Sequence, residues 1–190
     1  MSRFPIHTVD TAPSDSRAAL EALRKEIGFL PNLAATMAGS PTLIEGFTTL
    51  RAILGHSSFT PVERETIALS VSFENDCAYS MAAHSLFARM SGISEPDLEA
   101  LRVGAQPPDE RLGALATYTR HVIATRGYAT AQATQGFLDA GFTPAHALGV
   151  IAVVAFTTIA NYAHNLTGCA LDPPFQPQVW TVPASSRRSA

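Results

Sequence analysis

The chain has 190 residues, enough for one domain with a proper core, but only 15% are charged, against roughly 25% in an ordinary soluble domain. That shortfall predicts that other subunits cover part of the surface. A formal charge of -3 excludes a general binder of nucleic-acid phosphates, which needs a basic face, and Arg187 and Arg188 near the C-terminus do not supply one.

The opening run, Met1 to His7, has no apolar stretch, so no secretory signal is expected. Helices are expected at 14–27, 31–38, 41–54, 61–74, 76–91, 95–103, 109–126, 131–140 and 144–167. Three are announced by one device, the pairs Ser40-Pro41, Thr60-Pro61 and Thr143-Pro144. The hydroxyl accepts a backbone N–H at the N-cap, and proline at the first helical position has no N–H to leave unpaired. Glu63, three residues after Thr60, completes a capping box. Glycines 28, 39, 55, 92, 104, 127, 141 and 168 fall where helical stretches stop, as left-handed C-caps require. No stretch alternates with period two, so the fold class is all-α.

Residues 1–170 read as a single helical domain. The tail 171–190 carries Pro173, Pro174, Pro177 and Pro183 and is expected to run extended over a surface. The longest apolar run, 147–156, is shorter than the ~20 residues of a membrane span, which points to a soluble cytoplasmic protein without membrane contact. Sliding the chain by 83 positions lays Thr60-Pro61 on Thr143-Pro144, Val71 on Val154, Phe73 on Phe156 and Tyr79 on Tyr162. Either two buried helices share similar caps, or a helical hairpin is duplicated and only the first copy keeps chemistry.

The chemistry concentrates between Thr60 and His84. Asn75-Asp76 is a turn signal between two helices, and Cys77 follows in the first turn of the second. Unpaired N–H groups and the helix dipole there favour a thiolate, whereas an ionised Asp76 opposes it. At 100° per residue Cys77, Ser80 and His84 share one helix face. Glu65 lies on the preceding helix and faces the same spot if the two pack antiparallel. A carboxylate, an imidazole and a thiol converging in apolar surroundings make a proton relay that activates sulfur.

Glu65, eleven residues, Cys77-Ala-Tyr-Ser80, three residues and His84, led in by Thr-Pro-Val-Glu-Arg-Glu, resemble the pattern of the alkylhydroperoxidase D / carboxymuconolactone decarboxylase family. Gly28-Phe-Leu-Pro-Asn32 and the stretch from Thr157 to Pro174 are similar to its peroxidase-related branch, so the resemblance spans roughly residues 20 to 175. It implies an alkylhydroperoxidase D-like helical fold, an antioxidant oxidoreductase acting on peroxide or another small electrophile, no bound cofactor, a thiol or lipoyl-protein reductant, and a homo-oligomer, trimer or hexamer. It also implies catalytic roles for Cys77, Ser80, His84 and Glu65. One position departs. Ser80 stands where the family has its second cysteine, the one that attacks peroxide, and a hydroxyl cannot cycle through sulfenic acid and disulfide. The decarboxylase arm of the family, acting on a lactone acid, does without the cysteine pair, and a non-catalytic binding or assembly role is the third reading.

Outside the motif, Asn161, His164 and Asn165 form a polar ridge on the apolar last helix. It reads as a hydrogen-bond cluster at a subunit interface, or as a second wall of the Cys77 site. Cys169 reads as structural or incidental, and Glu63 as a solvated charge. His7, His56, His121 and His146 lack ligand spacing, and no metal is expected.

Overall fold

The computed structural model describes residues 3–183. Among the described residues the chain is all-helical, in the order α1 Ser14–Ile27, α2 Asn32–Met37, α3 Pro41–Leu54, α4 Pro61–Glu74, α5 Ala78–Met90, α6 Glu95–Arg102, α7 Glu110–Ala124, α8 Ala131–Asp139 and α9 Pro144–Thr167. The three hydroxyl-proline starts stand where the sequence puts them. Ser40, Thr60 and Thr143 each accept the N–H three residues on, and both threonine caps close a full box, with Glu63 and with His146. Six of the eight glycines adopt positive φ; Gly39 and Gly55 do not. At those two the chain leaves its helix through right-handed turns, closed by Gly39 N–H to Thr36 O and His56 N–H to Ile53 O, so no left-handed residue is required.

α4 is the central helix and packs against α5, α7 and α9. Its residues 66–72 are buried on every side. Thr66, Ser70 and Ser72 tolerate this because each hydroxyl donates to the carbonyl four residues back, at 2.7–2.9 Å, leaving no orphan polar atom and little side-chain bulk. Helices can therefore approach α4 closely from several directions. Glu63 is not solvated: it is 4% exposed, caps Thr60 and accepts Arg111 Nε at 2.7 Å.

α9 runs 24 residues without a break, so the duplicated hairpin is not present. The two threonine-proline starts match, but α4 ends at Glu74 and the chain turns, whereas α9 continues past the equivalent point. Tyr79 is accordingly buried in α5, and Tyr162 is 61% exposed. α9 is long and apolar enough to cross a membrane by length and composition. Here Val150, Val153, Thr157, Ala160 and Asn161 turn inward in the helical packing. Leu148, Ile151, Ala155, Tyr162 and Leu166 share the opposite, outward face.

The segment after α9 is more than an extended cover. It forms a 3-10 helix, Pro173–Gln178, that buries Phe175 against α5, and Trp180 packs beside Phe73 and donates its indole N–H to Arg102 O. Residues 184–190 of the expected tail, Arg187 and Arg188 among them, lie outside the described residues.

Candidate active site

The α4–α5 junction is a Schellman closure. The Asp76 N–H donates to Phe73 O and the Cys77 N–H to Ser72 O, with Asp76 in the left-handed region at φ 50°. Aspartate tolerates that conformation better than most residues, so the tight turn needs no glycine. The turn reverses the chain at once and lays α5 back along α4. Cys77 thereby becomes the N-cap residue of α5 rather than a member of its first turn. Its thiol has 0% exposure.

Burial pushes the Cys77 thiol above its ordinary pKa, although the Ser80 hydroxyl, the N–H groups of Ser80 and Tyr79 and the Asn161 amide all turn toward the sulfur and work the other way. The competition left open by the sequence is thus decided by desolvation, and the resting sulfur is a thiol.

Antiparallel packing of the hairpin brings Glu65 to His84 as the spacing required: Nδ1 of His84 stands 2.7 Å from Glu65 Oε2, with both side chains mostly buried. A carboxylate on Nδ1 selects the tautomer that leaves Nε2 free to accept a proton. His84 and Ser80 both line an apolar cavity of about 70 Å³, walled by Leu23, Phe47, Phe87, Phe156 and Phe175. A second cavity of about 220 Å³ shares His84, Arg51 and Phe87 and adds Glu65 and Arg64. Cys77 lines neither. Ser80 stands between the thiol and the first cavity, so three of the four motif residues reach the cavities and the fourth lies behind one of them.

The polar ridge of α9 completes the site from the other side. His164 Nδ1 is 3.6 Å from Cys77 Sγ, and burial holds its imidazole below the usual histidine range. Asn161, fully buried, accepts from Asn75 Nδ2 and donates to Ser72 Oγ, while Asn165 donates to Asn75 O. These residues pin the α4–α5 turn. The sequence showed them as a polar ridge on the last helix, with a second wall of the Cys77 site as one of its two readings, but not their partners. Tyr79 is a further residue the motif does not mark. Its hydroxyl donates to Asp172, and burial together with that carboxylate pushes its pKa well up. Asp172 also accepts the Asn32 N–H at the start of α2, fixing the pocket wall to the chain after α9. Among the described residues no group of His, Cys, Asp and Glu is arranged to hold a metal ion.

Residues 41–111, which contain the whole Glu65–His84 motif, match the sequence profile of the carboxymuconolactone decarboxylase family. The fold is shared with an alkylhydroperoxidase AhpD core, an uncharacterized peroxidase-related protein from Ralstonia eutropha JMP134, at a TM-score of 0.79 and 24% identity, covering 92% of this chain and 94% of that one. An uncharacterized peroxidase-related protein from Silicibacter sp. TM1040 superposes at a TM-score of 0.74 and 20% identity over 93% of each chain. The C82A variant of the debrominase Bmp8, solved in complex with 2,3,4-tribromopyrrole, superposes at a TM-score of 0.75 and 16% identity over 94% of this chain and 97% of its own. A search of curated proteins finds no match.

Proposed function

We propose that this chain is a small-molecule oxidoreductase of the peroxidase-related type that works through one thiol. Cys77 is the reacting sulfur, His84 the proton carrier, and Glu65 the group that orients His84. Ser80 links the thiol to the cavity. The carrying observation is the His84–Glu65 pair at 2.7 Å, set at the polar end of an apolar cavity one helical turn from the Cys77–Ser80 contact. In this reading the Cys77 thiol attacks the outer oxygen of ROOH. The O–O bond breaks, the thiol proton passes to the departing alkoxide through His84, and Cys77 sulfenic acid and ROH result. Two external thiols, or one dihydrolipoyl group, then return the thiol and release water. The apolar walls fit an organic peroxide or a halogenated aromatic such as the one Bmp8 holds. The test is consumption of cumene hydroperoxide with dithiothreitol or dihydrolipoamide. Turnover that Cys77→Ala abolishes supports the reading, and a rate no higher than without protein overturns it.

A second reading has its own observation. Arg51 Nε is buried without a hydrogen-bond partner where the two cavities meet, while Nη2 of the same guanidinium pairs with Glu26 at 2.8 Å, and Cys77 faces neither cavity. An acid–base enzyme that holds a small carboxylate on Arg51 and moves protons with His84 suits that arrangement, as in decarboxylation of a lactone acid. Calorimetric titration with small apolar carboxylates, lost in Arg51→Met, is the discriminating measurement.

A further inference from the structure

We propose that Cys169 is the resolving thiol of this chain, closing with Cys77 the disulfide that Ser80 cannot form. This rests on the thiol reading of Cys77 and adds a partner the motif does not contain.

Both cysteines are free and lie in the same buried cluster, beside Tyr79, Ala34 and Phe175. His164 stands at both. Its Nδ1 is 3.6 Å from Cys77 Sγ, and the main chain of Cys169 lies beside the same imidazole, one residue past Gly168, whose N–H donates to His164 O. Neither cysteine is inside a helix: Cys77 is the N-cap of α5, and Cys169 follows the Gly168 cap of α9. Cys77 is held by its N–H on Ser72 O and its carbonyl under the Met81 N–H, so Cys169, beyond the end of α9, is the side that moves. The connection around Cys169 is held by Gly168, whose N–H donates to His164 O, by Ala170, whose carbonyl accepts from Asn32 Nδ2, and by Asp172, with Gly168 and Ala170 exposed. A disulfide needs Cα atoms within roughly 7 Å and sulfurs ~2.05 Å apart. The bridge therefore asks this short connection to move inward as the His164 ring turns aside.

The chemistry balances without a further co-reactant beyond the peroxide. Cys77 thiol and ROOH give Cys77 sulfenic acid and ROH. The Cys169 sulfur then attacks the Cys77 sulfur, the S–O bond breaks, and the departing hydroxide takes the Cys169 proton through His164 to leave as water. Two thiols have given two electrons to one peroxide. An external dithiol restores both. A neutral imidazole is needed for that transfer, and burial keeps His164 in that form. The Cys169 thiol is itself pushed up to about 11, first by burial, so it needs a base beside it to attack at neutral pH.

The experiment uses the intact wild-type chain in two arms. Diamide oxidises any pair of thiols within reach and needs no peroxide chemistry. It should remove the mass of two hydrogens, abolish alkylation of both cysteines and give a Cys77–Cys169 linked peptide. Absence of that internal link overturns the inference whatever the peroxide arm shows. In the second arm, cumene hydroperoxide with dimedone should label Cys77 in Cys169→Ser or Cys169→Ala roughly tenfold more than in wild type, where the disulfide forms first. Equal labelling above background in wild type and in both variants also overturns the inference. A diamide link with no reaction of any variant toward peroxide supports the thiol pair and removes the peroxidase reading instead.

Discussion

Nδ1 of His164 lies 3.6 Å from Sγ of Cys77, across 87 positions of sequence. The motif thiol therefore has a histidine beside it that the motif does not contain. His84, on its own helix, faces the cavity with Glu65, and His164, on α9, faces the sulfur. In the proposed reaction His84 delivers the proton to the departing alkoxide, while His164 is the imidazole in contact with the sulfur.

Glu63 and Glu65, two residues apart on α4, should separate cleanly. Glu65→Gln and His84→Ala should lower turnover by about 10²- to 10⁴-fold, the usual worth of a positioned proton carrier, with little change in thermal midpoint. Glu63→Ala should cost about 1–3 kcal/mol of stability, because it leaves the Thr60 N–H and Arg111 Nε without their acceptor, and should leave turnover of the folded enzyme close to wild type. Steady-state assays beside denaturant melts read both effects. Loss of activity without loss of stability in Glu63→Ala would show the roles to be misassigned.

Ser80→Cys should create or raise dithiol-dependent peroxidase activity, because it places sulfur at the cavity wall one turn from His84. The swap is nearly isosteric and should cost less than ~1.5 kcal/mol. Adding His84→Ala should remove most of the gain. Peroxide-consumption assays on the single and double variants check this, and a Ser80→Cys chain that folds and stays inert would favour the acid–base reading.

Stability should fall on both sides of neutrality, for different groups. Cys77 and Cys169 are held protonated in the fold, Cys169 up to about 11. Their contribution is full below the ordinary thiol value of ~8.5. It is lost as pH climbs from there toward 11, since the unfolded chain releases protons that the folded chain keeps. His164 is shifted the other way. Its contribution is present above the ordinary ~6.5 and is lost as pH falls, because the unfolded imidazole takes up a proton that the folded one refuses. Thermal melts from pH 5 to 11 should show both limbs, and His164→Asn should flatten the acid one. An unchanged acid limb in that variant would place the titration elsewhere.

The outward face of α9 should bury against further copies of the chain. Leu148, Ile151, Tyr162 and Leu166 are all at least 50% exposed and form one apolar stripe, which seldom faces water alone. Light scattering at micromolar concentration should return a multiple of 20.2 kDa, a trimer or a hexamer, and Ile151→Glu with Leu166→Glu should reduce it. A monomeric mass for the wild-type chain would end the assembly proposal.

The sequence by itself determined what is written within a few residues. The hydroxyl-proline caps fixed the starts of α3, α4 and α9 to the residue, because a cap is satisfied by the N–H three positions on. The spacing from Glu65 to His84 fixed their meeting, because a tight turn between two helices leaves only one antiparallel register. The tertiary structure alone decided how deep Cys77 lies, and with it the direction of its pKa, since desolvation depends on what packs from outside the hairpin. Only the tertiary structure likewise brought His164 to the thiol, continued α9 where a repeat would have turned, and folded Phe175 and Trp180 back into the core. Those outcomes depend on the angles at which distant helices cross α4. Such angles are set by the summed fit of many small side chains, with no local signal in any one stretch.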